Sequence, residues 1–277
     1  MSTGYKSFHE SSIKDPKGFW AEQAKLVDWH KPFDQVFDYS NPPFAKWFIG
    51  GQTNLCHNAV DRHLKDRAQQ IALVAVSTET EQERTYTFEE LHAEVNRMAA
   101  ILQAHGVVKG DRVLIYMPMI AQACFAMLAC ARIGAIHSVV FGGFASHSLA
   151  SRIDDAKPKM IITAEAGMRG GKAVPYKPLL DEAITLASYK PEKVLIVNRG
   201  LSDYSTVANR DIDYASEREK HLSSKVPVEW VDATHPSYIL YTSGTTGKPK
   251  GVQRDTGGYA VALASSMRLI FGGNPGE

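Results

Sequence analysis

The chain has no block of like charge, few cysteines and no long apolar run without a helix breaker. Its 277 residues include 31 basic and 30 acidic side chains, for a formal net charge of +1. This even mixture argues against nucleic acid as a partner, because such a site needs clustered Lys and Arg. The uncharged run from Val113 to Ala131 contains Pro118, so it favours a buried strand and a buried helix over a membrane span.

Metal-binding and secretion signals are also scarce. The cysteines Cys56, Cys124 and Cys130 lack metal-ligand spacing, and the last two lie in an apolar run that predicts buried thiols. The ten histidines show no metal-ligand spacing either. The odd number of cysteines and a polar amino terminus unlike a secretion signal predict a reducing, cytoplasmic location.

Strands and helices alternate along most of the chain. Strands are predicted near 71–76, 84–87, 112–117, 136–141, 159–164 and 193–197. Helices are predicted from Pro16, over Asn54 to Arg67, after a capping box at Thr87, and near 119–132, 146–156 and 175–188. This order predicts an α/β fold with mostly parallel sheets covered by helices, in which ligands bind beyond the strand carboxyl ends. Residues 1–70 are interpreted as a helical and loop-rich wrap, and residues 198–222 as a surface excursion.

The most informative segment runs from Tyr241 to Gly251 and reads Tyr-Thr-Ser-Gly-Thr-Thr-Gly-Lys-Pro-Lys-Gly. A short buried strand at 237–241 is predicted before it, and a helix from Thr256 to Phe271 after it. Glycines let backbone N–H groups approach an anion, hydroxyls add short donors and lysines add positive charge. The pattern predicts a polyphosphate site formed by Thr242, Ser243, Gly244, Thr245, Thr246, Gly247, Lys248 and Lys250.

The same segment has two alternative interpretations. The segment differs from a Walker A loop, because Gly244 and Gly247 are too close together and Pro249 follows Lys248. A polar hairpin loop without a ligand remains the structural alternative.

A second glycine pair follows the predicted strand at 159–164. Gly170 and Gly171 lie between Arg169 and Lys172 and form a positively charged turn. Arginine suits bidentate phosphate contacts and lysine supplies a point charge. A solvent-exposed basic turn is the alternative.

A third glycine pair follows the predicted strand at 136–141. Gly142 and Gly143 lie between Phe141 and Phe144, and glycines at such a position allow a ligand to approach closely. A tight turn with core phenylalanines is the alternative.

The Tyr241–Gly251 segment resembles the phosphate-loop signature of the adenylate-forming ligases, which include acyl-CoA synthetases, peptide-synthetase adenylation domains and luciferases. Residues 47–63, 133–144 and 152–156 resemble acetyl- and propionyl-CoA synthetases, and residues 251–259 are more similar to the propionyl enzymes. The resemblance covers nearly the whole chain. It implies a short-chain acyl-CoA synthetase for which propionate is the favoured acid and acetate the next.

The resemblance also implies the ligands and their residues. ATP, CoA, Mg²⁺ and a short-chain carboxylate are the expected small molecules, with no nucleic acid or membrane partner. Residues 242–248 would hold the ATP phosphates, with Lys250 adding charge or loop support. The expected CoA residues are Phe141, Gly142, Gly143, Arg169, Gly170, Gly171 and Lys172. Lys172 departs from the family, which commonly has arginine there, so one phosphate contact is expected to be weaker.

Two segments are expected, an amino-terminal wrap at 1–70 and the first part of an AMP-binding domain at 71–277. In such synthetases the metal-binding glutamate and the catalytic lysine come later than Glu277. We therefore expect an amino-terminal fragment that is inactive alone, with no catalytic or metal-binding residue of its own. A non-catalytic fragment that binds a nucleotide or CoA is the alternative.

Overall fold

A computed structural model describes residues 2–77, 80–242 and 249–273. The helices are α1 (Ser2–Lys14), α2 (Pro16–Gln23), α3 (Leu55–Ala59), α4 (Leu64–Arg67), α5 (Phe88–Ala104), α6 (Ala121–Arg132), α7 (Ser146–Ala156), α8 (Tyr176–Leu186), α9 (Tyr214–Lys220) and α10 (Thr256–Leu269). The strands are β1 (Gln35–Asn41), β2 (Phe44–Ile49), β3 (Gln52–Thr53), β4 (Ile71–Ser77), β5 (Gln82–Thr87), β6 (Arg112–Met117), β7 (Ile136–Phe141), β8 (Met160–Ala164), β9 (Ala166–Arg169), β10 (Lys172–Pro175), β11 (Lys193–Val197), β12 (Asp211–Asp213), β13 (Val231–Asp232), β14 (Pro236–Thr242) and β15 (Lys250–Asp255).

A seven-stranded sheet in the order β12-β11-β8-β6-β7-β14-β15 forms the centre of the fold. Its neighbouring strands are parallel, except that β15 is antiparallel to β14. Val113 and Ile115 of β6 face a core shared with α5 and α6, whereas Leu114 and Tyr116 face a core shared with α7 and α8. A sheet buried on both faces explains the continuous apolar strands of the sequence. The predicted α/β fold with a mostly parallel sheet is confirmed.

Local signals in the sequence placed several helix ends correctly. Asp15 caps α2 by accepting a hydrogen bond from the Gly18 N–H at 3.0 Å. The capping box of α5 is present, because the Glu90 N–H donates to Thr87 Oγ1 at 3.2 Å and the Thr87 N–H donates to Glu90 Oε2 at 2.9 Å. Both signals join residues three positions apart, so the surrounding fold does not need to be known.

The interpretation of residues 198–222 as a surface excursion was wrong. This segment contains α9 and the sheet-edge strand β12, which pairs in parallel with β11. The strand forms because Asp211, whose side chain is 0% exposed, lies 2.9 Å from Lys177 Nζ and 2.6 Å from Arg210 Nε. An acidic three-residue strand carries no apolar pattern, so sequence reasoning did not find it.

The amino-terminal wrap also differs from its prediction. It contains the antiparallel hairpin β1–β2, which was not predicted. The helix predicted over 54–67 is broken into α3, a 3₁₀ turn at Asp61–His63 and α4, because Val60 leaves the helical region with φ −130° and ψ −65°.

Cys56 and Cys130 are buried as free thiols, whereas Cys124 is only partly buried. None of the helices in the described part of the chain has the length and apolar character that a membrane crossing requires.

A buried ion pair fastens the wrap to α6. Arg132 is 4% exposed, and its Nη1 lies 2.9 Å from Asp61 Oδ2 while its Nε donates to the Val226 carbonyl at 2.5 Å. Burial by itself would raise the pKa of Asp61, but hydrogen bonds from His92 and Arg132 and the charge of Arg132 lower it to about 2. The ionised carboxylate therefore stabilises the folded state.

Asp61→Asn should lower the free energy of unfolding at neutral pH by about 3 kcal/mol, because it leaves Arg132 buried without its counter-ion. The pKa of Asp61 is lowered from 3.8 to about 2, so its stabilising charge is present above pH 4 and is lost as the pH falls towards 2. Urea unfolding at a series of pH values should show the gap between wild type and variant closing over that range. Exposed Asp66→Asn in α4 is the matched control and should cost little; an equal loss for both variants would contradict the role of the Arg132 pair.

Candidate functional site

The carboxyl ends of β7, β8 and β14 bring three segments to one edge of the sheet. These strands run in the same direction, so the residues that follow them emerge at the same edge. Phe141 ends β7 and the turn to Phe144 follows it, the β9–β10 hairpin follows β8, and Thr242 ends β14. The glycine-rich segments singled out in the sequence therefore share one side of the molecule.

The predicted phosphate segment joins two antiparallel strands. Thr242 and Lys250 are paired in register at the ends of β14 and β15, and both side chains are exposed. Ser243, Gly244, Thr245, Thr246, Gly247 and Lys248 lie outside the described residues. The strand predicted at 237–241 is present as β14, but the prediction that it is buried was wrong. Leu240 is 49% exposed, and Tyr238, Ile239 and Tyr241 are only half-buried. The strand β15 was not predicted, because its polar, exposed residues lack an apolar pattern.

The turn at Phe141–Phe144 is shaped by a buried tyrosine. A Cβ added to Gly142 would lie 2.6 Å from the Tyr176 Oη, and one added to Gly167 would lie 2.2 Å from the same atom. The Tyr176 ring therefore packs against both glycines, and it links the turn after β7 to β9. Gly143 has φ +86°, which glycine adopts without strain. Sequence reasoning missed Tyr176 and Gly167, whose meeting depends on the sheet.

The two phenylalanines of this turn have different environments. Phe141 is 65% exposed. Phe144 is partly buried against the α7–α8 core, and its carbonyl accepts a hydrogen bond from Tyr116 Oη at 3.0 Å. Phe144 is thus packed as the structural alternative expected, while Phe141 presents its ring to the edge where ligands would bind.

The Arg169–Lys172 segment forms the tip of the β9–β10 hairpin, in which Gly170 and Gly171 are the two turn residues. Gly170 and Gly171 have φ values of +57° and +75°, the pattern of a type I′ turn, which explains both glycines without a ligand. Arg169 and Lys172 are opposite each other in the hairpin register, and both are exposed. Neither forms an ion pair with any residue that the structure describes. Two neighbouring cations are therefore available at the tip.

A cavity of about 450 Å³ lies beside the carboxyl ends of β7 and β14. Its lining includes Phe141, Arg152, Tyr241 and Thr242. Tyr241 Oη donates to Asp155 Oδ2 at 2.5 Å, and burial together with this bond raises the pKa of Tyr241. Asp155 of α7 therefore acts as a hydrogen-bond acceptor for a wall residue of the cavity. Arg152 was not singled out, because an arginine within an amphipathic helix gives no local signal.

A second cavity, of about 440 Å³, lies between the wrap and α10. Trp20, Trp47 and Tyr259 contribute to its largely apolar wall. Tyr259 is a half-buried residue of this wall. Asp255 also lines this cavity, and burial raises its pKa to about 6.

Within the described ranges, no group of three or more His, Cys, Asp or Glu side chains is arranged to hold a metal ion.

The seven-stranded sheet, with glycine turns at its carboxyl edge, defines the chain as an α/β protein with a mostly parallel central sheet. Two family models match it. One, described as "AMP-binding enzyme", matches residues 60–276, and the other, "Acetyl-coenzyme A synthetase N-terminus", matches residues 5–59. The chain belongs to the AMP-binding enzyme family.

Individual relatives are similar over almost the whole chain. The chain is 61% identical over 273 residues to "Propionate--CoA ligase" of Escherichia coli (strain K12), covering 99% of this chain and 44% of the relative. It is 48% identical to human "Acyl-CoA synthetase short-chain family member 3, mitochondrial", covering 99% of this chain and 40% of the relative. The chain thus spans less than half the length of these curated relatives.

A solved structure has the same fold. "Acetoacetyl-CoA Synthetase from Streptomyces lividans" superposes with a TM-score of 0.88 at 28% sequence identity, covering 99% of this chain and 42% of that one. The mixed α/β architecture derived above is therefore shared with a synthetase of this family.

Gly142→Ala should lower the free energy of unfolding by about 1–3 kcal/mol with no ligand present, because the new methyl group overlaps Tyr176. Chemical unfolding of a double-mutant cycle with Tyr176→Ala tests this cause, since most of the Gly142→Ala cost should vanish once the ring is removed. An undiminished cost in the Tyr176→Ala background would show that another contact requires Gly142.

Proposed function

We propose that the chain acts in an AMP-forming ligase that joins a short-chain carboxylate to CoA at the expense of ATP. Propionate is the favoured acid and acetate the next. The observation that carries this proposal is the Tyr241–Gly251 segment at the carboxyl edge of the sheet in a member of the AMP-binding enzyme family. The name of the Escherichia coli relative supports propionate.

The proposed reaction has two halves. A carboxylate is a poor electrophile because its negative charge opposes nucleophilic attack. In the first half its oxygen attacks the α-phosphorus of ATP, which forms an acyl-adenylate and releases pyrophosphate. In the second half the CoA thiol attacks the acyl carbon and AMP leaves, giving the thioester. Both halves need positive groups near phosphates, and exposed cations at the carboxyl edge supply that charge.

Residue roles in this proposal follow the segments of the edge. Residues 242–248 and Lys250 are proposed to hold the β- and γ-phosphates of ATP. Phe141 is proposed to pack on the CoA adenine, with Gly142 and Gly143 forming the turn beneath it. Arg169 and Lys172 are proposed to bind CoA phosphate, while Gly170 and Gly171 shape the hairpin that presents them. Their exposure and their lack of an acidic partner among the described residues support this role.

The proposed reaction also uses Mg²⁺ to offset phosphate charge. Among the described residues, no group of three or more His, Cys, Asp or Glu side chains is arranged to hold this ion. The three cysteines are free thiols, of which Cys56 and Cys130 are buried, and this supports the proposed cytoplasmic location.

Gly247→Val tests the phosphate segment in protein made from the complete reading frame. A branched side chain would occupy the space that a phosphate needs, so propionate-dependent ATP–pyrophosphate exchange should fall by about a hundred- to a thousandfold. The exchange rate of Gly247→Ala should fall less than that of Gly247→Val. Melting temperatures should show that both variants stay folded. Exchange near the wild-type rate in Gly247→Val would remove this segment from the ATP site.

Arg169→Ala separates the two half-reactions. A charge-assisted contact to phosphate contributes about 1.5–3 kcal/mol, so the apparent KM for CoA in thioester synthesis should rise by about ten- to a hundredfold. Pyrophosphate exchange needs no CoA and should stay nearly intact. Exposed Arg268→Ala in α10 is the matched control and should change neither assay. An unchanged KM for CoA, or an equal loss in both assays, would remove Arg169 from the CoA site.

A further inference from the structure

Two arginines are buried in the described part of the chain, and their surroundings differ. Arg132 is 4% exposed and pairs with Asp61 at 2.9 Å. Arg152 is 8% exposed, but it forms no ion pair with a described residue, and its Nη1 donates only to the carbonyl of Ser148 at 2.6 Å and to its hydroxyl at 2.9 Å. A buried charge without a counter-ion is costly, so Arg152 lacks the partner that its burial requires.

Two aromatic rings hold Arg152 in place. Its guanidinium carbon lies 5.0 Å from the centre of the Phe144 ring and 5.4 Å from that of Tyr241. The Tyr241 ring is held in turn by its 2.5 Å hydrogen bond to Asp155. These cation–π contacts offset part of the lost hydration but provide no anion. Burial lowers the pKa of Arg152, the direction expected for a cation without a counter-charge.

The remaining N–H groups of Arg152 are available to a ligand. Within the described residues, neither Nε nor Nη2 has a hydrogen-bond partner, yet neither is among the fully enclosed unpartnered atoms. Arg152 lines the 450 Å³ cavity together with Ser148 and Thr242, and the described residues of that wall include no acid. An anion in the cavity would therefore meet the guanidinium with no carboxylate on the described wall, and the Asp155 carboxylate is engaged by its hydrogen bond from Tyr241.

We propose that Arg152 forms a phosphate-binding subsite in this cavity, where its free N–H edge binds phosphoryl oxygens of a substrate. The planar guanidinium suits a phosphate because it can donate two parallel hydrogen bonds. Thr242, the first residue of the predicted phosphate segment, lies on the same wall. The phosphate belongs to ATP or to CoA, and for these two sources the subsite rests on the proposed function.

Calorimetric titration of protein from the complete reading frame tests the subsite with three probes: inorganic pyrophosphate, ATP and CoA. Arg152→Met keeps much of the side-chain length and removes the charge, and Arg152→Lys keeps the charge without the planar pair of donors. Arg152→Met should weaken binding by about ten- to a hundredfold, and Arg152→Lys by less. Arg268→Met, an exposed arginine in α10, is the matched control and should bind as wild type does.

The pattern across the probes identifies the source of the phosphate. Weaker binding of pyrophosphate and ATP with unchanged CoA assigns the subsite to ATP, and the reverse assigns it to CoA. Lower thermal stability with unchanged binding of every probe would make Arg152 a packing residue and overturn the subsite. If Arg152→Met does not fold, unchanged binding of every probe by Arg152→Lys would likewise overturn the subsite. Failure of the unaltered protein to bind ATP and CoA would overturn the proposed function as well, whereas binding that no Arg152 variant alters would overturn the subsite alone.

Discussion

Parallel pairing of β8, β6, β7 and β14 is the constraint on which the candidate site depends. Parallel strands end at the same edge, so the segments that follow β7, β8 and β14 emerge side by side. Two buried layers set the register, because Leu114 and Tyr116 face one core while Val113 and Ile115 face the other. A shift of one residue would exchange these layers, so burial of β6 also fixes its register against β7 and thereby where Phe141 lies.

The glycines at this edge are required by the fold itself, whether or not a ligand is bound. Gly142 and Gly167 leave the space that the Tyr176 ring occupies, and Gly170 and Gly171 adopt the backbone angles of a tight hairpin turn. A glycine pattern therefore does not by itself establish ligand contact. The side chains that these glycines display, Phe141 and Arg169, are the exposed ones, and the proposed CoA contacts depend on them.

Charge is distributed differently in the interior and at the carboxyl edge. In the interior, acids accompany the cations, as Asp61 does for Arg132 and Asp211 does for Lys177. At the edge, Arg152, Arg169 and Lys172 have no acidic partner among the residues that the structure describes. An edge with uncompensated positive charge attracts anionic substrates and stabilises charge that develops on phosphates. This contrast favours phosphate-bearing ligands for the whole edge rather than for one motif.

The sequence by itself determined the alternation of strands and helices, the cap of α5 at Thr87 and the chemical character of Tyr241–Gly251. Each of these features depends on residues close together along the chain, whose spacing can be read directly. Only the tertiary structure decided that Tyr176 packs against Gly142 and Gly167, and that Arg152 contacts two aromatic rings but forms no ion pair with a described residue. The contacts of Tyr176 with Gly142 and of Arg152 with Tyr241 join residues 34 and 89 positions apart, and they exist only once the parallel sheet has brought its strands into register.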